Sequence, residues 1–170
     1  MIRIPQHFSR LTALAAAALA VLVGGSASAQ APLNELQDTY PSPELSPEEV
    51  VEIQMEAFSN NDEDDTGIAI GFRFASPQNK KMTGPLSRFS TMMRTPAYRP
   101  MLTAEQVEYG VPDVRDRAAS VIVTTVASDG KRRSYEFLLG KQQRGEFEGA
   151  WMTEGVRIMT DTQSMPDSSV

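Results

Sequence analysis

Hydrophobic and polar positions follow three regimes along the 170 residues. Leu11 to Val23 is apolar with only Thr12 interrupting it; from Ser46 to about Leu102 apolar residues recur every three or four positions; from Thr103 onward they alternate with polar ones. A spacing of three to four places side chains on one face of a helix, and a spacing of two places them on one face of a strand. The pattern therefore predicts helices first and a sheet second.

Ser46-Pro47-Glu48-Glu49 combines an N-capping serine, a proline at the first helical position and a glutamate three residues after the cap, which together open a helix. Val51, Met55 and Phe58 follow at i, i+4 and i+7, and Asn60-Asn61 closes the segment. A second helix is expected over Thr66–Phe74, with Ile68, Phe72 and Ala75 facing inward, ended by Ser76-Pro77 because the residue before proline avoids the α region. Gly84-Pro85 opens a third, whose Leu86, Phe89, Met92 and Met93 lie three to four residues apart or side by side; Pro96 stops it, and Tyr98 to Leu102 is a connector broken by Pro100.

Val107, Tyr109 and Val111 alternate until Pro112. Arg117 to Ser128 is the clearest strand. Asp129-Gly130 is a strong hairpin signal, and Lys131 to Gln142 returns with Tyr135, Phe137 and Leu139 on one face. Arg144-Gly145 turns the chain into a last strand, Phe147 to Ile158. The expected fold is α+β: N-terminal helices packed on an antiparallel sheet of about four strands. One domain is expected over residues 46–159, preceded by a flexible leader at 30–45 and followed by a disordered tail at 160–170.

The N-terminus changes the setting. Arg3 and Arg10 precede the 13-residue apolar run Leu11–Val23, and the small residues Ala27-Ser28-Ala29 follow it. This order is that of a secretory signal peptide, with cleavage expected after Ala29 and a periplasmic or secreted location for the mature chain; a membrane-spanning helix needs about 20 apolar residues. Removing residues 1–29 removes two arginines and no acid, which takes the formal charge from −6 to −8. Such a charge disfavours nucleic acid and anionic membrane as partners.

Two absences narrow the chemistry. The chain has no cysteine, and its single histidine, His7, lies in the expected signal peptide. The mature protein therefore has no Ser-His-Asp or Cys-His arrangement and lacks the imidazole and thiolate that most transition-metal sites use. Acid–base chemistry would fall to Asp, Glu, Tyr or Lys. No cofactor or metal is expected. Asp62-Glu63-Asp64-Asp65-Thr66-Gly67 resembles the start of a calcium loop, but position twelve is Arg73 where a bidentate glutamate belongs, so a solvated acidic turn is the reading.

Among single residues, Arg73, Arg88, Arg94 and Arg99 either line an anion-binding mouth or pair with surface acids. Arg73, between two phenylalanines, is the least ordinary, and Arg73 and Arg99 are taken as ligand-binding candidates. Tyr98 and Tyr109 are candidates for hydrogen bonding to a ligand, against the commoner role of buried tyrosines with satisfied hydroxyls. Trp151 is read as core. Glu154, expected on the Met152 face of the last strand, is the candidate acid–base residue. Met55, Met82, Met92, Met93, Met101, Met152, Met159 and Met165 raise Cu(I) binding or an adaptable surface, but their scatter along the chain favours core filling.

Phe72-Arg73-Phe74-Ala75-Ser76-Pro77-x-Asn79, Thr83-Gly84-Pro85-x-x-Arg88-Phe89, Pro96-x-Tyr98 and Trp151-Met152-Thr153 resemble the core of an uncharacterised domain-of-unknown-function family. That family is placed in the nuclear-transport-factor-two-like (SnoaL-like) superfamily. The resemblance spans about residues 46–158 and implies a cone with a hollow between the helices and the concave face of the sheet. Members of the superfamily catalyse there, bind small molecules, or use the sheet to dimerise; catalytic members often set a His or Asp deep in the cone, and this chain has no histidine to offer. The expected function is an exported, non-enzymatic module that binds a small molecule or a protein partner. The alternatives are a cofactor-independent isomerase or hydrolase using Glu154 with Tyr98 or Tyr109, and a homodimer formed through the sheet face.

Overall fold

The computed structural model describes residues 33–159; the expected signal peptide, its cleavage point at Ala29 and the tail at 160–170 lie outside them. Five α-helices precede five strands: α1 Leu33–Leu36, α2 Pro47–Ser59, α3 Thr66–Arg73, α4 Pro77–Thr83 and α5 Leu86–Met93, then β1 Gln106–Tyr109, β2 Asp113–Arg115, β3 Ala118–Val126, β4 Arg132–Lys141 and β5 Trp151–Met159. Among the described residues one 3-10 turn, Arg99–Met101, links the two halves. The fold is α+β, as the change of period predicts. Among the described residues no helix is long and apolar enough to cross a membrane.

α2 starts where its capping residues require. The Ser46 hydroxyl accepts from the Glu49 amide at 3.2 Å, and the Glu49 carboxylate accepts from the Ser46 amide at 2.7 Å. Val50, Val51, Met55 and Phe58 on its inner face are buried. α3 crosses α2 at close range because it presents two glycines one turn apart. A Cβ on Gly67 would lie 2.0 Å from the Ala57 carbonyl oxygen, and one on Gly71 would lie 2.1 Å from the Phe58 ring.

Ser76-Pro77 ends α3 as expected, but it also begins α4, a helix missing from the sequence reading. Ser76 caps it, its hydroxyl accepting from the Asn79 amide at 3.1 Å, and Pro77 takes the first position, where a missing N–H costs nothing. The same dipeptide therefore carries both a stop and a start.

The sheet has the order β1-β3-β4-β5, all antiparallel, and β2 also pairs with β3. The edge strand expected to end at Pro112 resumes beyond it: β1 pairs with Val123–Val126 and β2 with Ala118–Ser120. Proline lacks the amide that a continuous ladder needs. The last strand begins at Trp151 rather than Phe147, because Gly145 and Gly149, at φ 88° and 86°, keep the intervening residues in a turn.

Val121, Val123, Tyr135, Phe137 and Leu139 are buried and join residues from α2, α3 and α5 in one core. They do not form an exposed apolar patch. The alternate positions Ser120, Thr124, Ser134 and Glu136 are polar and only half-buried, with Ile122 exposed among them. Glu136 is paired with Arg157 and Glu108 with Arg132 on this outer side.

Part of the segment read as a leader, from Leu33 to Leu45, packs on the core. Leu36 is buried in the core, and Leu33 and Leu45 pack against it. Arg73 holds the segment, donating to the carbonyls of Gln37 and Thr39, both at 2.7 Å, while its guanidinium sits 4.2 Å from the centre of the Tyr40 ring.

Candidate functional site

A cavity of about 230 Å³ lies where α2, α4, α5 and the Arg99–Met101 turn face β4 and β5. Each element contributes for a local reason. The inner stripe of α2 brings Gln54 and Phe58; α5, with its apolar residues at Phe89, Met92 and Met93, turns that face inward; the connector after Pro96 adds Tyr98 and Met101. Met82 and Thr83 come from the end of α4, and Phe137 and Thr153–Val156 come from the sheet.

One wall is polar. Thr153 donates its hydroxyl to the Gln54 side-chain carbonyl at 2.6 Å, and the Gln54 amide donates to the Gly71 carbonyl at 2.9 Å. The Asn79 side-chain amide donates to the Thr153 carbonyl at 3.0 Å, which also accepts from the Ser76 amide at 2.9 Å. Thr153 forms a parallel bridge with Ala75, so this wall ties the first half of the chain to the last strand. Buried polar groups require such partners.

Glu154 stands at an irregularity in β5. Leu138 pairs with Gly155 and Leu139 with Thr153, so Glu154 has no partner across the ladder and forms a bulge. Trp151, Met152 and Thr153, just before it, are buried in succession. The Glu154 carboxylate accepts from the Ser76 hydroxyl at 2.7 Å and from the Gln142 side-chain amide at 3.1 Å. It packs on the backbone of Gly140, whose Cβ, if present, would lie 2.9 Å from Oε1. Gly140 alternates with core-facing Leu139, so the carboxylate leans away from the centre of the core; it is not set bare among methionines.

Of the residues singled out from sequence, Glu154 and Tyr98 share the cavity wall; Arg73, Arg99 and Tyr109 are not in it. Arg73 is engaged with the leader, and Arg99 is exposed beside the 3-10 turn. Tyr109 is half-buried on β1, where burial, and then the carboxylates of Glu52 and Glu56, push its phenol up. Tyr135 donates its hydroxyl to the Ala97 carbonyl at 3.0 Å, and burial pushes it up to about 12.

The acidic turn serves the fold. Asp62 accepts from the Thr66 amide at 2.8 Å. Asp65 pairs with Arg94, and its carboxyl is held at about 2 by that hydrogen-bonded guanidinium, helped by the Ser90 hydroxyl and the Asn61 amide. Among the described residues no group of three or more His, Cys, Asp or Glu is placed to hold a metal ion.

The sequence reading missed Gln54, Asn79 and Thr153 as a connected set. Gln54 carried a signal: it lies four residues from both Val50 and Phe58, a polar residue inside an apolar stripe. Asn79 and Thr153 are part of the motifs that carried the family resemblance, but nothing in their spacing announces contact across 74 residues.

No curated protein and no solved structure matched the chain. The family model described as Domain of unknown function (DUF4864) matches residues 43–166, which takes in the cavity, its polar wall and every motif of the resemblance. The chain belongs to that family.

Proposed function

We propose that the protein is an exported, non-enzymatic module that holds a small molecule in the cavity between its helices and sheet, and that it belongs to the nuclear-transport-factor-two-like superfamily. The cavity carries this reading. An apolar cavity of about 150 Å³ admits benzene, so about 230 Å³ has room for a molecule of roughly ten heavy atoms. The polar groups of the wall already hold one another, which suits a rigid container. The superfamily placement is supported by helices that precede an antiparallel sheet and enclose a hollow against it.

Export rests on Arg3 and Arg10, the apolar run to Val23 and Ala27-Ser28-Ala29. Native mass spectrometry of the mature chain, purified from its exported location, tests both parts. A chain beginning at Gln30 with an added mass of one to two hundred daltons, roughly ten heavy atoms, is the expected result. A full-length, unprocessed chain would sink export, and a bare protein that takes up no small molecule from a diverse set would sink the container.

A cofactor-independent isomerase or hydrolase is the second reading, favoured by Glu154 and Tyr98 both belonging to the cavity lining. It requires turnover that Glu154→Gln abolishes while the thermal midpoint holds.

A further inference from the structure

We propose that the molecule held in this cavity is a neutral aromatic one, a single ring carrying a short side arm; this rests on the container reading above. The lining offers no partner for a charge. Among the described residues neither lysine nor arginine lines it. Its one acid is Glu154, whose carboxylate is bonded to Ser76 and Gln142 and packed on Gly140, none of which lines the cavity. The polar side chains of the lining are engaged as well: Gln54 with Thr153 and the Gly71 carbonyl, Asn79 with the Thr153 carbonyl, and the Thr83 hydroxyl with the Asn79 backbone carbonyl at 2.9 Å. A charged ligand would lose its water there and gain no counter-charge.

The rest of the lining favours a ring over saturated carbon. Phe58, Phe89, Phe137 and Tyr98 supply four rings, and Phe58 and Phe89 already form a tilted pair with centroids 6.4 Å apart. Aromatic pairs gain from offset or edge-to-face contact beyond the area they bury. Met82, Met92, Met93 and Met101 are scattered over twenty positions of sequence, yet they meet in this one cavity. A thioether gains from contact with a ring edge, and its unbranched chain adapts to the shape of what it packs on. Both gains arise with an aromatic ligand and are absent with a saturated one of the same size.

Four probes of closely similar shape separate charge from aromaticity: 2-phenylethanol, its saturated counterpart 2-cyclohexylethanol, the cation 2-phenylethylammonium and the anion phenylacetate. Hydrophobic burial alone favours the saturated alcohol, which exposes more apolar surface to water, so ring contacts must reverse that order. Isothermal titration calorimetry on the chain from Gln30, at neutral pH, is expected to show 2-phenylethanol binding about threefold tighter than 2-cyclohexylethanol, the scale of ring contacts. It should bind about tenfold tighter than either ion, the scale of an unpaired charge losing part of its water. Val156→Phe, which fills the cavity from β5, is expected to weaken both alcohols several-fold, and an unchanged far-ultraviolet dichroism spectrum confirms that the variant is folded. Equal or tighter binding of 2-cyclohexylethanol overturns the aromatic ligand, and equal or tighter binding of either ion overturns the neutral one; both results leave the container standing. Binding of no probe by the wild-type protein, together with no added mass in the native spectrum, overturns the container as well.

Discussion

At the scale of residues, the clearest chemistry is that of groups engaged with one another. Asp65 accepts from Arg94, Ser90 and Asn61, which holds its carboxyl at about 2 against an ordinary 3.8. A carboxyl depressed in the folded state adds stability that is complete above its unfolded value and is lost as pH falls through the folded one. The contribution of this cluster should therefore disappear between pH values of about 4 and about 2. Arg94→Ala is the check: urea midpoints of the variant and the parent should differ near neutral pH and converge as pH drops through that window. A gap that stays constant with pH would mean that Arg94 acts through packing instead. The Arg94 side chain is half exposed, so screening keeps the effect modest. Sequence made the acidic turn visible and favoured a solvated turn over a calcium loop, because Arg73 stands where a ligand belongs. It did not reveal that Asp65 reaches Arg94, 29 residues away, since pairing between side chains on separate helices depends on how those helices cross.

At the scale of elements, local signals performed well where the cause is local. The capping box at Ser46, the hairpin at Asp129-Gly130 and the period change near Thr103 involve residues within a few positions of one another, and all three appear in the structure. Errors arose where two local signals shared residues. Ser76-Pro77 was read as an end and also opens α4, and alternation gave no sign of the bulge at Glu154. The α2–α3 crossing gives a test of element packing. Gly67→Ala would drive a methyl into the Ala57 carbonyl, where backbone must give way, and should destabilise the protein by about 1–3 kcal/mol in urea unfolding. Gly155→Ala is the companion, because a Cβ there meets open space, and it should change stability by no more than about 0.5 kcal/mol. Equal effects of the two substitutions would show that loss of glycine, and not the close crossing, sets the cost.

At the scale of the whole molecule, the segment before α2 closes the core from outside. Leu36 is buried, Leu33 and Leu45 pack beside it, and Arg73 fixes the backbone between them. Starting the chain at Ser46 instead of Gln30 should therefore cost on the order of 2–4 kcal/mol, from one buried and two partly buried leucines. Urea unfolding of the two chains measures it. A chain from Ser46 as stable as the one from Gln30 would mean that the segment merely rests on the surface. The polar, low-complexity look of residues 30–45 hid this, because three leucines spaced along a short segment have no period of their own and gain meaning only from the core they cover.

By itself the sequence determined the α+β class, the order of most elements, the absence of cysteine and of any histidine beyond His7, and the acidic balance. These follow from composition and from periods a few residues long, which act before any distant contact forms. The cavity was decided only by tertiary structure. Met82, Met92, Met93 and Met101 looked like scattered core filler, and Gln54, Asn79 and Thr153 like unrelated polar residues, until helices from the first half met the strands of the second. What a side chain does at such a site depends on neighbours as far as 99 residues away in sequence, as between Gln54 and Thr153, and a pattern read along one dimension carries no record of them.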